Sequence, residues 1–222
     1  MDVLSPAPRA EALCVCVPRA ATPPPGAVPP VFLRLLLAGA LEPVEYAGLL
    51  VQYREVYAAL DRAAAAHPAE DPLSRRLRAG IRAGLEDLES DLAVLLGSGR
   101  TEPAVLPATR VYIERIRAAA AAGVEGVEGL IAHRLVRYDA DRLGAGLIQL
   151  ALYQAYGPLA ARLAFHAVAR NGAARTPRTL PGLRESAAWT HARCESVAAE
   201  AVVAAACDRE LLAALGAALA RP

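Results

Sequence analysis

The spacing of apolar residues from position 31 onward constrains the fold of this chain more than any other feature. Leucine, alanine and other apolar residues recur there at intervals of three and four, which places them on one face of a helix. No segment alternates convincingly as a strand does, and no repeat of fixed period is evident. The pattern predicts an all-α fold, and 222 residues that are 55% hydrophobic suffice to bury one large core.

The first 30 residues differ from the rest because they are rich in proline. Proline lacks the amide donor and clashes with the preceding turn, so the Thr-Pro-Pro-Pro-Gly run at 22–26 cannot be helical. We therefore interpret residues 1–30 as an extended or disordered N-terminal tail. Residues 31–222 are then a single multi-helical domain.

Start and stop signals divide this domain into a series of predicted helices. Pro43 stands at a first-turn position, and Gly97 is a stop signal. A loop that contains glycine, proline and arginine is expected at 171–181. We predict helices at 31–40, 43–66, 73–96, 103–122 (which Pro107 could break), 126–156 (with a bend at 144–146), 158–169, 183–207 and 208–219.

Charge patterning argues against two classes of partner. The net charge of +1 gives no reason to expect a nucleic acid. Residues 143–161 carry no charge and are long enough to span a membrane, but they include Gln149, Gln154 and Pro158. A buried core helix that ends near Pro158 is the better interpretation, so we expect no membrane partner.

The cysteines and the first residues indicate a cytoplasmic protein. Residues 1–12 contain two acids and two prolines in place of a basic start and an apolar core, so no signal peptide is expected. Reduced thiols are the default in that compartment. Cys14 and Cys16 do not have a standard zinc spacing and lack a second pair, so no separate metal site is expected.

One run of residues resembles the distal helix of the heme oxygenases. Residues 130–146 read Leu-Ile-Ala-His-Arg-Leu-Val-Arg-Tyr-Asp-Ala-Asp-Arg-Leu-Gly-Ala-Gly. The positions that match the family's Ala-His, Arg-Tyr and Gly-Asp-x-Ser-Gly-Gly elements are Ala132-His133, Arg137-Tyr138, Asp141 and Gly144. The family's Gly, Ser and Gly are replaced here by Ala140, Leu143 and Ala145.

Other stretches are similar to the same family in the same order. They are Phe32-Leu33 with Gly39 and Tyr46, the Tyr53-x-x-x-Tyr57-x-x-Leu60 stretch, and residues 72–97 with Asp91-Leu92. The resemblance covers most of the chain from residue 31. It implies an all-α fold that holds heme between a proximal and a distal helix.

The resemblance also implies an activity and a set of site residues. The family cleaves heme oxidatively to biliverdin, carbon monoxide and iron, so heme would be both cofactor and substrate and an external electron donor would be required. Asp141 would be the catalytic residue, delivering protons through water. The residues that would contact the heme are Phe32, Arg137, Tyr138, Ala140 and Gly144. From the residues alone, Asp141 could also be simply a solvated helix residue paired with Arg137 or Arg142.

The proximal side of the expected heme site departs from the family. The family's iron ligand is a histidine about two helical turns before the Phe32 position, which corresponds here to Pro24 or its neighbours. No histidine precedes His67. Because a proximal imidazole sets the electronics of the iron, the alternative is a non-enzymatic member, a pseudoenzyme. Such a protein would bind heme, another tetrapyrrole or an apolar ligand, or use its helices as a partner surface.

Two further possibilities concern other side chains. His166 or His191 could serve as a surrogate iron ligand if its helix faces the cavity, and Arg193 or Arg209 could pair with heme propionates. A di-iron oxidase on a related fold is disfavoured, because no Glu-x-x-His motif exists. Its candidate acids would lie on a single helix, at Glu86, Asp87, Glu89 and Asp91.

Overall fold

The computed structural model is helical and has no strand in the residues that it describes, which confirms the predicted all-α fold. These residues are 27–66, 72–122, 126–167 and 190–220, and side chains are described in them except at 72–80, 126 and 138–143. The predicted loop at 171–181 and most of the predicted tail lie outside them. The helices are α1 (Val31–Leu37), α2 (Pro43–Ala65), α3 (Pro72–Leu96), α4 (Pro107–Ala121), α5 (Gly126–Tyr156), a 3-10 helix (Gly157–Arg162) and α6 (His191–Leu219).

The second helix forms the centre of the main hydrophobic core. It begins with a capping box in which the side chains of Glu42 and Glu45 each bond the other's backbone amide. Its buried face packs against α3 and α4. At the crossing with α3 the two helices come very close, since a Cβ added to Gly84 would lie 2.4 Å from Cε1 of Tyr57. Only glycine leaves room for the Tyr57 ring at this point.

The last helix closes the bundle by contacting the first helix and two helices from the middle of the chain. It packs against α1, α4 and α5. A Cβ added to Gly216 would lie 3.2 Å from the backbone nitrogen of Phe32 and from Cβ of Val31, so α1 lies directly against this part of α6. The prediction of separate helices at 183–207 and 208–219 is wrong, because α6 continues through Asp208 without a break.

Two other helices are shorter than predicted. The helix predicted at 103–122 begins only at Pro107, the residue that could break it. Gln52 binds the residues before it, at the carbonyl of Ala104 (3.1 Å) and the amide of Leu106 (2.9 Å). The helix predicted at 158–169 is only a 3-10 helix that ends at Arg162.

The chain after the 3-10 helix is bound by a buried aspartate of α3. The Asp91 carboxylate accepts hydrogen bonds from the amides of Ala164 at 2.6 Å and Phe165 at 2.9 Å. This contact holds Phe165 edge-on to Tyr57, with ring centroids 5.8 Å apart. It also places His166, whose Nδ1 lies 2.7 Å from the hydroxyl of Tyr46.

The uncharged stretch predicted to be a core helix belongs to α5 and the 3-10 helix. The helix is continuous through 144–146, where a bend was predicted. Ile148, Ala151 and Leu152 are buried. None of the helices in the described ranges is long and apolar enough to cross a membrane.

Candidate functional site

The first half of α5 carries the Ala-His and Arg-Tyr elements and is buried between α4 and α6. Arg137 is only 1% exposed. Its Nη1 donates to Oδ1 of Asp208 at 2.5 Å, and its guanidinium carbon lies 3.8 Å from the ring centroid of Tyr53. Such stacking of a cation on an aromatic face adds to the ion pair. Arg137 is therefore fixed in the interior by α6 on one side and α2 on the other.

His133 lies one turn before Arg137 and is part of a second buried polar group. Its Nε2 lies 2.9 Å from Oε1 of Glu200, and the Arg115 guanidinium binds both oxygens of the same carboxylate. Burial would raise the pKa of the Glu200 carboxyl, but the bonds to His133 and Arg115 outweigh it and hold the pKa at about 2. Glu200 therefore stays ionised and links α4, α5 and α6.

Replacing Glu200 with glutamine is expected to remove part of the acid sensitivity of folding. The folded-state pKa of about 2 lies below the ordinary value of 4.5, so this stabilisation is complete above pH 4.5 and is lost as the pH falls towards 2. At about 1.4 kcal/mol per pKa unit, it is on the order of 3 kcal/mol. Urea unfolding between pH 6 and pH 2.5 measures the difference in free energy of unfolding between wild type and Glu200→Gln. This difference should become smaller as the pH falls. A difference that stays constant over this range would contradict the lowered pKa of Glu200.

The second half of α5 presents an apolar surface to solvent. Leu147 is 62% exposed and Leu150 is 56% exposed. A Cβ added to Gly144 would meet only Cδ1 of Ile148, at 3.4 Å, and one added to Gly146 would meet nothing within 4 Å. We call the surface formed by Gly144, Leu147 and Leu150 the distal face. By helical spacing, position 140 lies on this same face.

The predicted site residues fall into three places. Phe32 is fully buried against α6 in the core. Arg137 is in the interior pair described above, and Gly144 is on the distal face. Tyr138, Ala140 and Asp141 lie on α5, but their side chains are outside the described part, so their roles stay predictions.

The histidines that the structure describes are occupied elsewhere. His133 and His166 are buried and paired with Glu200 and Tyr46. His191 is largely exposed at the start of α6, with Nε2 3.1 Å from Glu195. Among the described residues, no group of three or more histidine, cysteine or acidic side chains is placed to hold a metal ion. His67 lies outside the described ranges.

Sequence reasoning missed two acids that organise this region. Asp208 pairs with Arg137, and Glu200 pairs with His133 and Arg115. One signal was available for Glu200, because it is the only charged residue between Glu195 and Asp208 in an alanine-rich stretch. Arg193 was predicted to pair with a ligand carboxylate. In the structure its Nε donates to the carboxylate of Glu128 at 2.5 Å.

Solved structures define the class of fold. The heme oxygenase-1 of the cyanobacterium Synechocystis sp. PCC6803 in complex with heme matches with a TM-score of 0.67 and 23% identity, over 91% of this chain and 90% of that one. The heme oxygenase-2 of Synechocystis sp. PCC 6803 in complex with heme and NO matches with a TM-score of 0.66 and 22% identity, over 93% of this chain and 84% of that one. The bundle thus has the heme oxygenase fold.

The sequence gives the family. The profile described as heme oxygenase matches residues 30–175, which include α5 and the whole distal face. This chain therefore belongs to the heme oxygenase family, as its resemblance predicted. No curated protein shows a significant match to the sequence.

Proposed function

We propose that this chain binds heme or a related tetrapyrrole on the distal face and is not an efficient heme oxygenase. The observation that carries the proposal is the exposed apolar surface of Gly144, Leu147 and Leu150 on the helix that the family profile covers. The two solved structures described above are heme complexes, which supports a tetrapyrrole as the ligand.

The distal face suits the flat, apolar part of such a ligand. A macrocycle needs close approach to the helix backbone, and Gly144 has no side chain on this face, where an added Cβ would meet only Ile148 of the same helix. Leu147 and Leu150 offer apolar contact, at about 25 cal/mol for each Å² removed from water. We propose Ala140 as a further contact, because position 140 lies on the same side of α5 as Gly144.

The iron is the part of heme that the described residues do not accommodate. No histidine precedes His67, and His133 and His166 are engaged in buried hydrogen bonds. In this family heme supplies both the redox-active iron and the ring that is cleaved, so the reaction depends on how the iron is held. Since no described histidine is free to ligate the iron from the opposite side, we propose that binding relies on apolar and polar contacts of the ring. Arg137 is held by Asp208 and serves to fix α5.

Asp141 is the proposed proton carrier for any residual turnover, for which an external electron donor would still be needed.

A charge on the distal face is expected to weaken hemin binding at least tenfold. Leu147→Glu places a carboxylate against the apolar ring, at a position that is already exposed, so the fold should be unaffected. Titration of the purified protein with hemin, followed by the Soret absorption, measures the affinity. Val111→Glu is the matched control, because Val111 is similarly exposed, at 60%, but lies on another helix, α4. Equal loss of affinity in both variants would contradict the proposal.

Turnover distinguishes a binding protein from an enzyme. The hemin complex is incubated with oxygen and a reductant, and biliverdin is followed by its absorption. We expect a saturable complex that forms little biliverdin, with more product when free imidazole is added as an iron ligand. Stoichiometric biliverdin without imidazole would make the chain an active oxygenase. His133→Ala, His166→Ala and His191→Ala would then reveal whether a histidine has become the iron ligand.

A further inference from the structure

Two fully buried polar side chains meet between α4 and α5, and each has one hydrogen-bonding atom without a protein partner. Tyr112 and His133 are both 0% exposed, and their ring centroids lie 5.5 Å apart. The Tyr112 hydroxyl and the His133 Nδ1 form no hydrogen bond with the protein. Native proteins satisfy the large majority of buried polar atoms, since an unpaired one keeps its full desolvation cost. Two such atoms in adjacent rings therefore call for a shared partner.

The opposite nitrogen of His133 determines what that partner must do. The ionised Glu200 carboxylate can only accept a hydrogen bond, so the Nε2 that lies 2.9 Å from it carries the proton. In a neutral imidazole, Nδ1 is then an acceptor, and in an imidazolium it is a donor. The tyrosine hydroxyl can donate or accept. A water molecule can satisfy both atoms in either state, whereas an ion would suit only one.

The environment is polar enough to hold water. Tyr112 is close enough to Asp208 and Arg137 for their charges to act on it: burial raises its pKa first, Asp208 raises it further, and Arg137 opposes the rise. Buried waters usually have two to four polar partners. Here the tyrosine hydroxyl and the imidazole nitrogen supply two.

We propose that one buried water binds between the Tyr112 hydroxyl and the His133 Nδ1 and closes a ring of hydrogen bonds among three helices. The ring runs from Tyr112 of α4 through the water to His133 of α5, then to Glu200 of α6, and returns to α4 at Arg115. It holds the buried half of α5 in register between its neighbours. The site does not depend on the proposed function, because no atom of the ring belongs to the distal face.

The direction in which the Tm changes in Tyr112→Phe tests for the buried water. In Tyr112→Phe the ring keeps its shape but the water loses a partner, so we expect the Tm to fall by about 2–4 °C. If the hydroxyl is unpaired instead, its removal relieves a desolvation cost and the Tm stays the same or rises, which overturns the proposal. Tyr46→Phe is the matched control, because its buried hydroxyl has a direct partner in His166 and its loss must lower the Tm.

A second measurement uses the unmodified protein. A high-resolution crystal structure should show a water within about 3.2 Å of both the Tyr112 hydroxyl and the His133 Nδ1. A dry gap, or a direct bond between the two rings, would overturn the proposal whatever the variants do.

Discussion

Replacing Arg137 with methionine is expected to lower the free energy of unfolding by about 3–5 kcal/mol. Arg137 is one of the largest fully buried side chains, and its guanidinium pairs with Asp208 at 2.5 Å while covering the ring of Tyr53. The substitution keeps most of the apolar volume but removes the cation that pairs with the largely buried carboxylate of Asp208. Urea denaturation at neutral pH measures the loss.

Two further variants test whether this loss comes from breaking the Arg137–Asp208 ion pair. Arg137→Met combined with Asp208→Leu removes both charges, so most of the stability should return. Arg117→Met breaks a surface pair with Glu114, whose side chains are 57% and 67% exposed, and should cost less than about 1 kcal/mol. A double variant as unstable as Arg137→Met alone would show that lost packing, and not charge, is responsible.

Removal of the Asp91 carboxylate is expected to cost about 3–6 kcal/mol, since it breaks two hydrogen bonds and each bond to a charged group contributes about 1.5–3 kcal/mol. Asp91→Ala leaves the amides of Ala164 and Phe165 without their acceptor in a buried place. Asp91→Asn keeps one acceptor oxygen and should lose less. Chemical denaturation compares both with Glu89→Ala, an exposed acid on the same helix that should be nearly neutral. A loss below about 1 kcal/mol in Asp91→Ala would contradict this role.

The same aspartate explains why sequence reasoning failed at 158–169. Apolar spacing and Pro158 favour a helix there, and the 3-10 helix at Gly157–Arg162 is the part of it that forms. Beyond it, Asp91 binds two amides that a longer helix would have used internally. A residue so distant in sequence leaves no local pattern. By contrast α2 and α5 were predicted to within a residue, because their apolar spacing and Gly or Pro boundaries are local.

Asp208 is a second residue whose role depends on a distant contact and not on the local sequence. Aspartate is a common first residue of a helix, and a helix start was predicted at 208. Its carboxylate instead pairs with Arg137, and α6 continues through it. The resemblance could indicate Arg137 and Gly144 because they stand in a recognisable run. It could not reveal that Arg137 is enclosed or that Gly144 lies beside exposed leucines, since both depend on how α5 packs.

The contact of α6 with Phe32 has a consequence for synthesis of the chain. α1 precedes α6 in the sequence, so it is made before the surface around Gly216 that packs against it. Until α6 has been synthesised, the nascent chain carries the apolar residues of α1 without this neighbour. Premature termination within α6 would release a product that exposes them, and such surfaces promote aggregation. Completion of this part of the core therefore waits for α6.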